Sequence, residues 1–429
     1  MFSSFLKNNH STYFSWLIIA LPFLSITGPA LPDICISIVA LYFLFISIIE
    51  KKFFYYKNLF VFLFLIFCIY LSIRSIFSDY PLLSLQIEGS VFYFRYLFFA
   101  LGTWYLYDRN PNFLLKLSYS IFIFITIVSL DGYLQFFTGK NFFGWTSYWD
   151  GMRLSSFFKE ELILGSYISK YAPLGVAFYL FSKKNSKISK SNYLLLIIFL
   201  MLIEILSYIS GERASFFHMT LFTILIIFLS SRFRILRLLS FFISCLLIVL
   251  IINTNKAVKE RTETTLNQVS TTKLKYLPYS PAHEKIYISA FKMFNDNPLF
   301  GQGTNLFRLK CYEENYYIDG NPECHSQPHN MYIQLLAESG IIGFSFLFLW
   351  FVFLSLKLLM HFISLIFVTK QNWKMDDGIL FIYIFAFVVW WPILPHQSFF
   401  NNWTNVMLFL PVGLILKNLY DKNTSIKSN

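Results

Sequence analysis

Leu236–Asn253 reads LRLLSFFISCLLIVLIIN, and after Arg237 it carries no charge. A helix needs about 20 predominantly apolar residues to cross the hydrocarbon core of a bilayer. This run is close to that length. Arg232 and Arg234 precede it, and a polar stretch of about 75 residues, Asn253 to Gln327, follows. Lys and Arg collect beside spans on the cytoplasmic side, while long translocated loops are exempt from that bias. The run is therefore expected to be a spanning helix with its basic end inside and the long loop outside.

The same pattern repeats along the chain. Twelve spans are expected, at about 13–30, 34–50, 58–74, 91–107, 113–131, 162–182, 193–210, 214–231, 236–253, 331–356, 378–395 and 402–418. Charged residues are 14% of the chain and Phe occurs 53 times, against about 25% charged in soluble domains. The first apolar segment lacks a small-residue cleavage site and reads as a first span. The net charge of +12 does not indicate nucleic acid, because the basic residues sit in short loops between apolar runs. Those loops carry Lys51, Lys52 and Lys57; Lys183, Lys184, Lys187 and Lys190; Arg232, Arg234 and Arg237; Lys370 and Lys374; Lys417 and Lys422. Both termini are thereby expected inside.

The expected architecture is an all-α polytopic membrane protein. Residues 1–252 hold spans one to nine, with a first periplasmic loop at about 131–162. Residues 253–330 form the large periplasmic loop, and 331–429 hold the last three spans and a cytoplasmic tail. No internal repeat is evident, which weighs against an inverted-repeat transporter. Within the large loop an amphipathic helix is expected at His283–Asn295, with Ile286, Ile288, Phe291 and Phe294 apolar. A turn follows at Asn297–Gly303, where Gly301 and Gly303 supply positive φ. Pro328 sets up a helix start just after His329 and Asn330. Cys35, Cys68 and Cys245 lie in apolar runs. Cys311 and Cys324 lie in the loop and could pair in an oxidising compartment, though spacing alone does not establish a bond.

Several stretches together resemble the O-antigen ligase and O-antigen polymerase family of integral membrane glycan transferases. QPHNMYIQLLAESGIIG, from Gln327 to Gly343, looks like its Pro-His-Asn loop closure and following helix. NPLFGQGTNLF resembles its Gly-x-Gly turn, SGERASFF (Ser210–Phe217) its Arg-bearing helix mouth, and RLSSFFKEELILGSY its first periplasmic loop. FFNNW at Phe399–Trp403 is also similar to members. One departure is clear: where members often carry Arg at the start of the amphipathic helix, this chain has His283-Glu284-Lys285. Lys lacks the bidentate fork of Arg, so that anion-binding role falls to Lys285 or shifts to Arg261 or Arg308.

The resemblance implies a GT-C-like fold and transfer of a glycan from an undecaprenyl-diphosphate carrier to an acceptor hydroxyl. The acceptor is lipid A–core in a ligase and another lipid-linked glycan in a polymerase. The long loop tilts the expectation toward the ligase. A diphosphate leaves as a stable anion and needs cationic contacts rather than a general acid. Arg213 and then Arg153 are the leading donors of that charge, with Lys285, Arg308 and Arg95 as further candidates and Lys170 beside them. His329 suits the base for the acceptor hydroxyl, and His325 is an alternative. Neither metal nor cofactor is expected, since no metal-binding motif is present. Each residue also has a plainer role open to it: His329 as a helix cap, Arg213, Arg95 and Lys170 as interfacial anchors, Glu212 as the partner of Arg213. A flippase or transporter is the competing class; it calls for charges near mid-membrane and broken helices.

Overall fold

A computed structural model describes residues 10–86, 89–184, 188–271, 280–318, 324, 327–367 and 372–428. Among these the structure is helical apart from loops and two isolated bridges, Lys140–Thr146 and Tyr148–Arg153. The helices of eight residues or more are α1 His10–Ile19, α2 Ala30–Ile49, α3 Leu59–Ile76, α4 Phe94–Arg109, α5 Phe113–Thr138, α6 Leu164–Ser182, α7 Lys190–Ile209, α8 Arg213–Leu229, α9 Arg234–Thr254, α10 Lys256–Thr271, α11 Pro281–Asp296, α12 Met331–Ile366, α13 Asp377–Val389, α14 Asn402–Phe409 and α15 Val412–Ser428.

Helices occupy most of every expected segment, but 25–29 in the first and 390–395 in the eleventh are not helical. Six helices, α2, α3, α5, α7, α9 and α12, are long and apolar enough to cross a membrane; α1 with its short continuation to Leu24, α8 and α13 are apolar but shorter. The last expected span is divided, because Pro411 stands between α14 and α15 and lacks the N–H that would continue the ladder. The polar stretch after Asn253, which gives no apolar run to read, forms α10. The outward faces are those of a protein in lipid. On α9 Ile235, Leu239, Phe242, Leu246 and Leu250 are each more than half exposed, an arrangement that water would penalise.

The chain builds two compact units, each from three separated stretches. The first comprises residues 1–35, 104–264 and 354–389, and the second 36–103, 265–353 and 390–429. In the first unit α6 is the central helix: Leu164–Phe181 is buried on nearly every side. It packs on α5, α7, α8 and α13, and Gly378 of α13 lies so close to Phe181 that an added Cβ would sit 2.4 Å from its Cα. Arg237, expected in a basic loop, is instead fully buried in α9. Its guanidinium donates to the carbonyls of Ile226 and Ser230 at the end of α8, where the helix dipole favours a cation.

In the second unit α12 is interrupted at Gly340, whose φ is +63°. That break is where the Asn297–Gly303 turn docks. Gln302 N–H donates to Ala337 O (2.9 Å), Gly303 N–H to Glu338 O (2.8 Å) and Ile341 N–H to Pro298 O (2.9 Å). A Cβ on Gly340 would lie 2.3 Å from Leu299 O, and one on Gly301 would lie 2.4 Å from Ser339 N. Both residues therefore must be glycine, for φ and for closeness. Arg74 of α3 donates to Phe300 O (3.0 Å) and Gly301 O (2.7 Å), and Tyr70 to Ser339 O (2.5 Å).

Candidate functional site

In the first unit, three arginines from three segments converge. The loop after α5 is shaped by that helix's last turns, which extend to Thr138 and so past the expected boundary at 131. Asp131 accepts from Phe142 N–H (2.7 Å) and Ser156 Oγ (2.6 Å), and Gln135 accepts from the amides of Ser155 and Ser156. This presents Arg153. Its Nη2 donates to Leu162 O (2.9 Å), and Gly211 leaves the space its side chain crosses: a Cβ there would sit 2.6 Å from Arg153 Cδ. Arg213 opens α8, and its Nη1 is buried with no hydrogen-bond partner. Arg261 on α10 donates to Gly211 O (3.0 Å). Arg153 and Arg261 both lie against the ring of Trp149, at 5.6 and 5.7 Å.

The electrostatics are those of crowded like charges. Burial first, then the guanidiniums of Arg213 and Arg153, push Arg261 down to about 10. Burial also lowers Arg153, partly offset by Glu212. Glu212 is not hydrogen-bonded to Arg213, contrary to expectation. Its carboxylate accepts from Gly165 N–H (2.6 Å), Ser166 N–H (3.0 Å), Ser166 Oγ (2.8 Å) and Ser215 Oγ (3.1 Å). It thus caps the first turn of α6, where orphan amides attract an anion. Lys170 lies one turn further along α6 and is buried.

The second unit holds the histidines. His329 precedes α12 with φ +50°. Asn330 caps that helix by accepting from Tyr332 N–H (2.9 Å) and Ile333 N–H (3.1 Å). Its amide donates to Pro392 O (2.7 Å) and Leu394 O (3.1 Å), so the Pro-His-Asn stretch is fastened to the segment between α13 and α14. Gln334 extends the fastening by accepting from Phe399 N–H (2.8 Å), and His396 N–H donates to His329 O (2.6 Å). The ring of His329 meets that of His283 edge to face, with centroids 5.5 Å apart. His283 is itself held by Ser280, whose Oγ lies 2.8 Å from Nδ1 in a capping box at the start of α11. Glu338 accepts from Asn305 N–H (2.9 Å) and Phe307 N–H (3.0 Å), pinning the stretch after Gly303 to α12.

The other expected residues are placed as follows. Gly301 and Gly303 have φ of +67° and +121° in the docked turn. Cys311 and Cys324 are joined by a disulfide, inside a small core with Ile286, Met293 and Phe307. Arg308 is exposed and donates to Asn305 Oδ1 (2.9 Å). Lys285 is half-buried on α11. Arg95 is buried against the Tyr96 ring, with Nη2 donating to Asn402 Oδ1 (2.9 Å). His325 lies outside the described residues. Trp149 and His396 were not singled out in the sequence. Trp149 is one aromatic among many, and His396 comes close only because the segment between α13 and α14 folds back on Asn330. The departure at His283 is visible in the sequence, but not that its ring meets His329.

Apolar helices with lipid-facing sides and polar clusters at their ends define a polytopic helical membrane protein. Residues 194–348 match the family described as O-Antigen ligase. The matched stretch includes Arg213, Arg261, the docked turn and His329. No curated protein sequence matches the chain.

Proposed function

We propose that this protein transfers a glycan from an undecaprenyl-diphosphate carrier to a sugar hydroxyl at the periplasmic face of the bacterial inner membrane, with O-antigen as the glycan and lipid A–core as the acceptor. The observation that carries this reading is the convergence of Arg153, Arg213 and Arg261. Three half-buried guanidiniums repel one another, and a doubly charged diphosphate is the kind of anion that relieves such crowding.

The acceptor oxygen attacks the anomeric carbon, the bond from that carbon to the phosphate oxygen breaks, and its electron pair leaves on the lipid diphosphate. His329 takes the proton from the acceptor hydroxyl. Direct displacement inverts the anomeric centre. The arginines hold the charge that develops on the leaving group, so the step requires no metal. His283 orients the ring of His329. Twelve spans, both termini in the cytoplasm and the polar loops in the periplasm complete the proposal.

The test is replacement of His329 by Ala and of Arg213 by Met, with lipopolysaccharide resolved on gels. Loss of capped lipid A–core with build-up of the lipid-linked donor is the expected result. A single repeat unit left attached to core would assign the polymerase reaction instead. Unchanged attachment and chain length in both variants would overturn the assignment.

A further inference from the structure

At the other end of the first unit lies a polar cavity of about 280 Å³, lined by Lys183, Lys184, Arg232, Lys374, Asp376 and Asp377 among others. The cluster of arginines sits at the N-termini of α6 and α8, and this cavity sits at their C-termini. With 19 and 17 residues in the two helices and ~1.5 Å per residue, the separation is about 25–29 Å. That is close to the ~30 Å thickness of a bilayer's hydrocarbon core, a separation that would set the cavity near the opposite lipid phosphates.

A basic end alone would be ordinary for a membrane protein. The built frame is what singles this one out. His361, buried on α12, accepts from Met375 N–H (2.9 Å) at Nδ1 and contacts Leu229 O (3.0 Å) through Nε2, joining α12, α8 and the start of α13. Both carboxylates are committed. Asp376 accepts from Ile379 N–H (3.0 Å), and Asp377 accepts from Ser230 Oγ (2.8 Å) and lies 4.0 Å from Arg232 Nε. Four cations against two carboxylates leave the lining with an excess of two positive charges. Basic pockets between membrane helices suit anionic head groups.

We infer that this cavity binds the phosphodiester head group of an anionic phospholipid, through Lys183, Lys184, Arg232 and Lys374. The site is independent of glycan transfer. The full chain is reconstituted in nanodiscs of phosphatidylcholine with or without phosphatidylglycerol, and its lysines are labelled with an amine-reactive reagent. Phosphatidylglycerol is expected to protect Lys183, Lys184 and Lys374 selectively. Removing three cations should weaken retention of phosphatidylglycerol by tenfold to about a hundredfold, read by mass spectrometry of lipid that copurifies with a Lys183→Gln, Lys184→Gln, Lys374→Gln variant. The corresponding triple Arg variant should retain it. Equal labelling in the two bilayers would overturn the inference, as would equal protection by inorganic phosphate in phosphatidylcholine alone, which would make this a site for soluble phosphate.

Discussion

Replacing Glu338 by Ala should release the stretch after Gly303 from α12. The carboxylate accepts two backbone amides, Asn305 N–H at 2.9 Å and Phe307 N–H at 3.0 Å, and is buried to 1% exposure. Phe307 is fully buried and Asn305 9% exposed, so water does not readily replace the lost acceptor. A buried donor left without a partner costs about 1–3 kcal/mol, and two give about 2–6 kcal/mol. Removing a buried carboxylate also removes its desolvation cost, which brings the local destabilisation to roughly 3 kcal/mol. Glu338→Gln keeps one carbonyl oxygen and can serve one amide, so about half that loss is expected. The assay is hydrogen exchange read by mass spectrometry on the full chain in detergent. At about 1.4 kcal/mol per factor of ten, the amides of Asn305 and Phe307 should exchange roughly a hundredfold faster in the Ala variant and about tenfold faster in the Gln variant. Glycan transfer should fall in the same order, because the docked turn and the His329 segment share α12. Unchanged protection at both amides in Glu338→Ala would show that the carboxylate does not hold this stretch to α12.

Gly340→Ala should destabilise more than an ordinary surface change, since Ala must adopt a φ of +63° and its Cβ meets Leu299 O at 2.3 Å; thermal melts should show it, with Gly132→Ala, whose Cβ would come no closer than 3.2 Å to a side chain, as a helical comparison. Opening the Cys311–Cys324 bridge with paired Ser substitutions should cost about 3 kcal/mol, the loop-closure term for a ring of about 15 residues. Wild type treated with reductant should match that melt. Arg153→Met and Arg261→Met should each lower kcat/KM for the lipid-linked donor about tenfold to a hundredfold, the worth of one charge-assisted hydrogen bond. A loss confined to the acceptor's KM would contradict the assignment. Arg261, pushed down to about 10, holds its charge through neutral pH and loses it as pH rises through that value. Stabilisation of the protein by added pyrophosphate should therefore decline above about pH 9 in wild type, and that part of the decline should vanish in Arg261→Met.

Much of the architecture is legible in the chain alone. Most of every expected apolar segment is helical, because a run of side chains that water rejects forms its hydrogen bonds within the segment whatever its neighbours are; the ends at 25–29 and 390–395 are not. The amphipathic α11 and the helix start after Asn330 follow from local rules of periodicity and capping. Local rules do not reach contacts between distant stretches. Nothing local distinguishes Arg237 as a buried cap of α8 from a charge in a basic loop. Adjacency made Glu212 look like the partner of Arg213, yet its carboxylate turns to the amides of α6. Trp149 between Arg153 and Arg261, His283 against His329, and Gly301 against Gly340 join residues from distant stretches. Such contacts are products of packing, which brings together groups whose spacing along the chain carries no trace of their distance. Apolar runs and basic loops place the chain in a membrane and supply the residue types available for chemistry. Packing alone sets which of them stand close enough for like charges to repel and rings to touch.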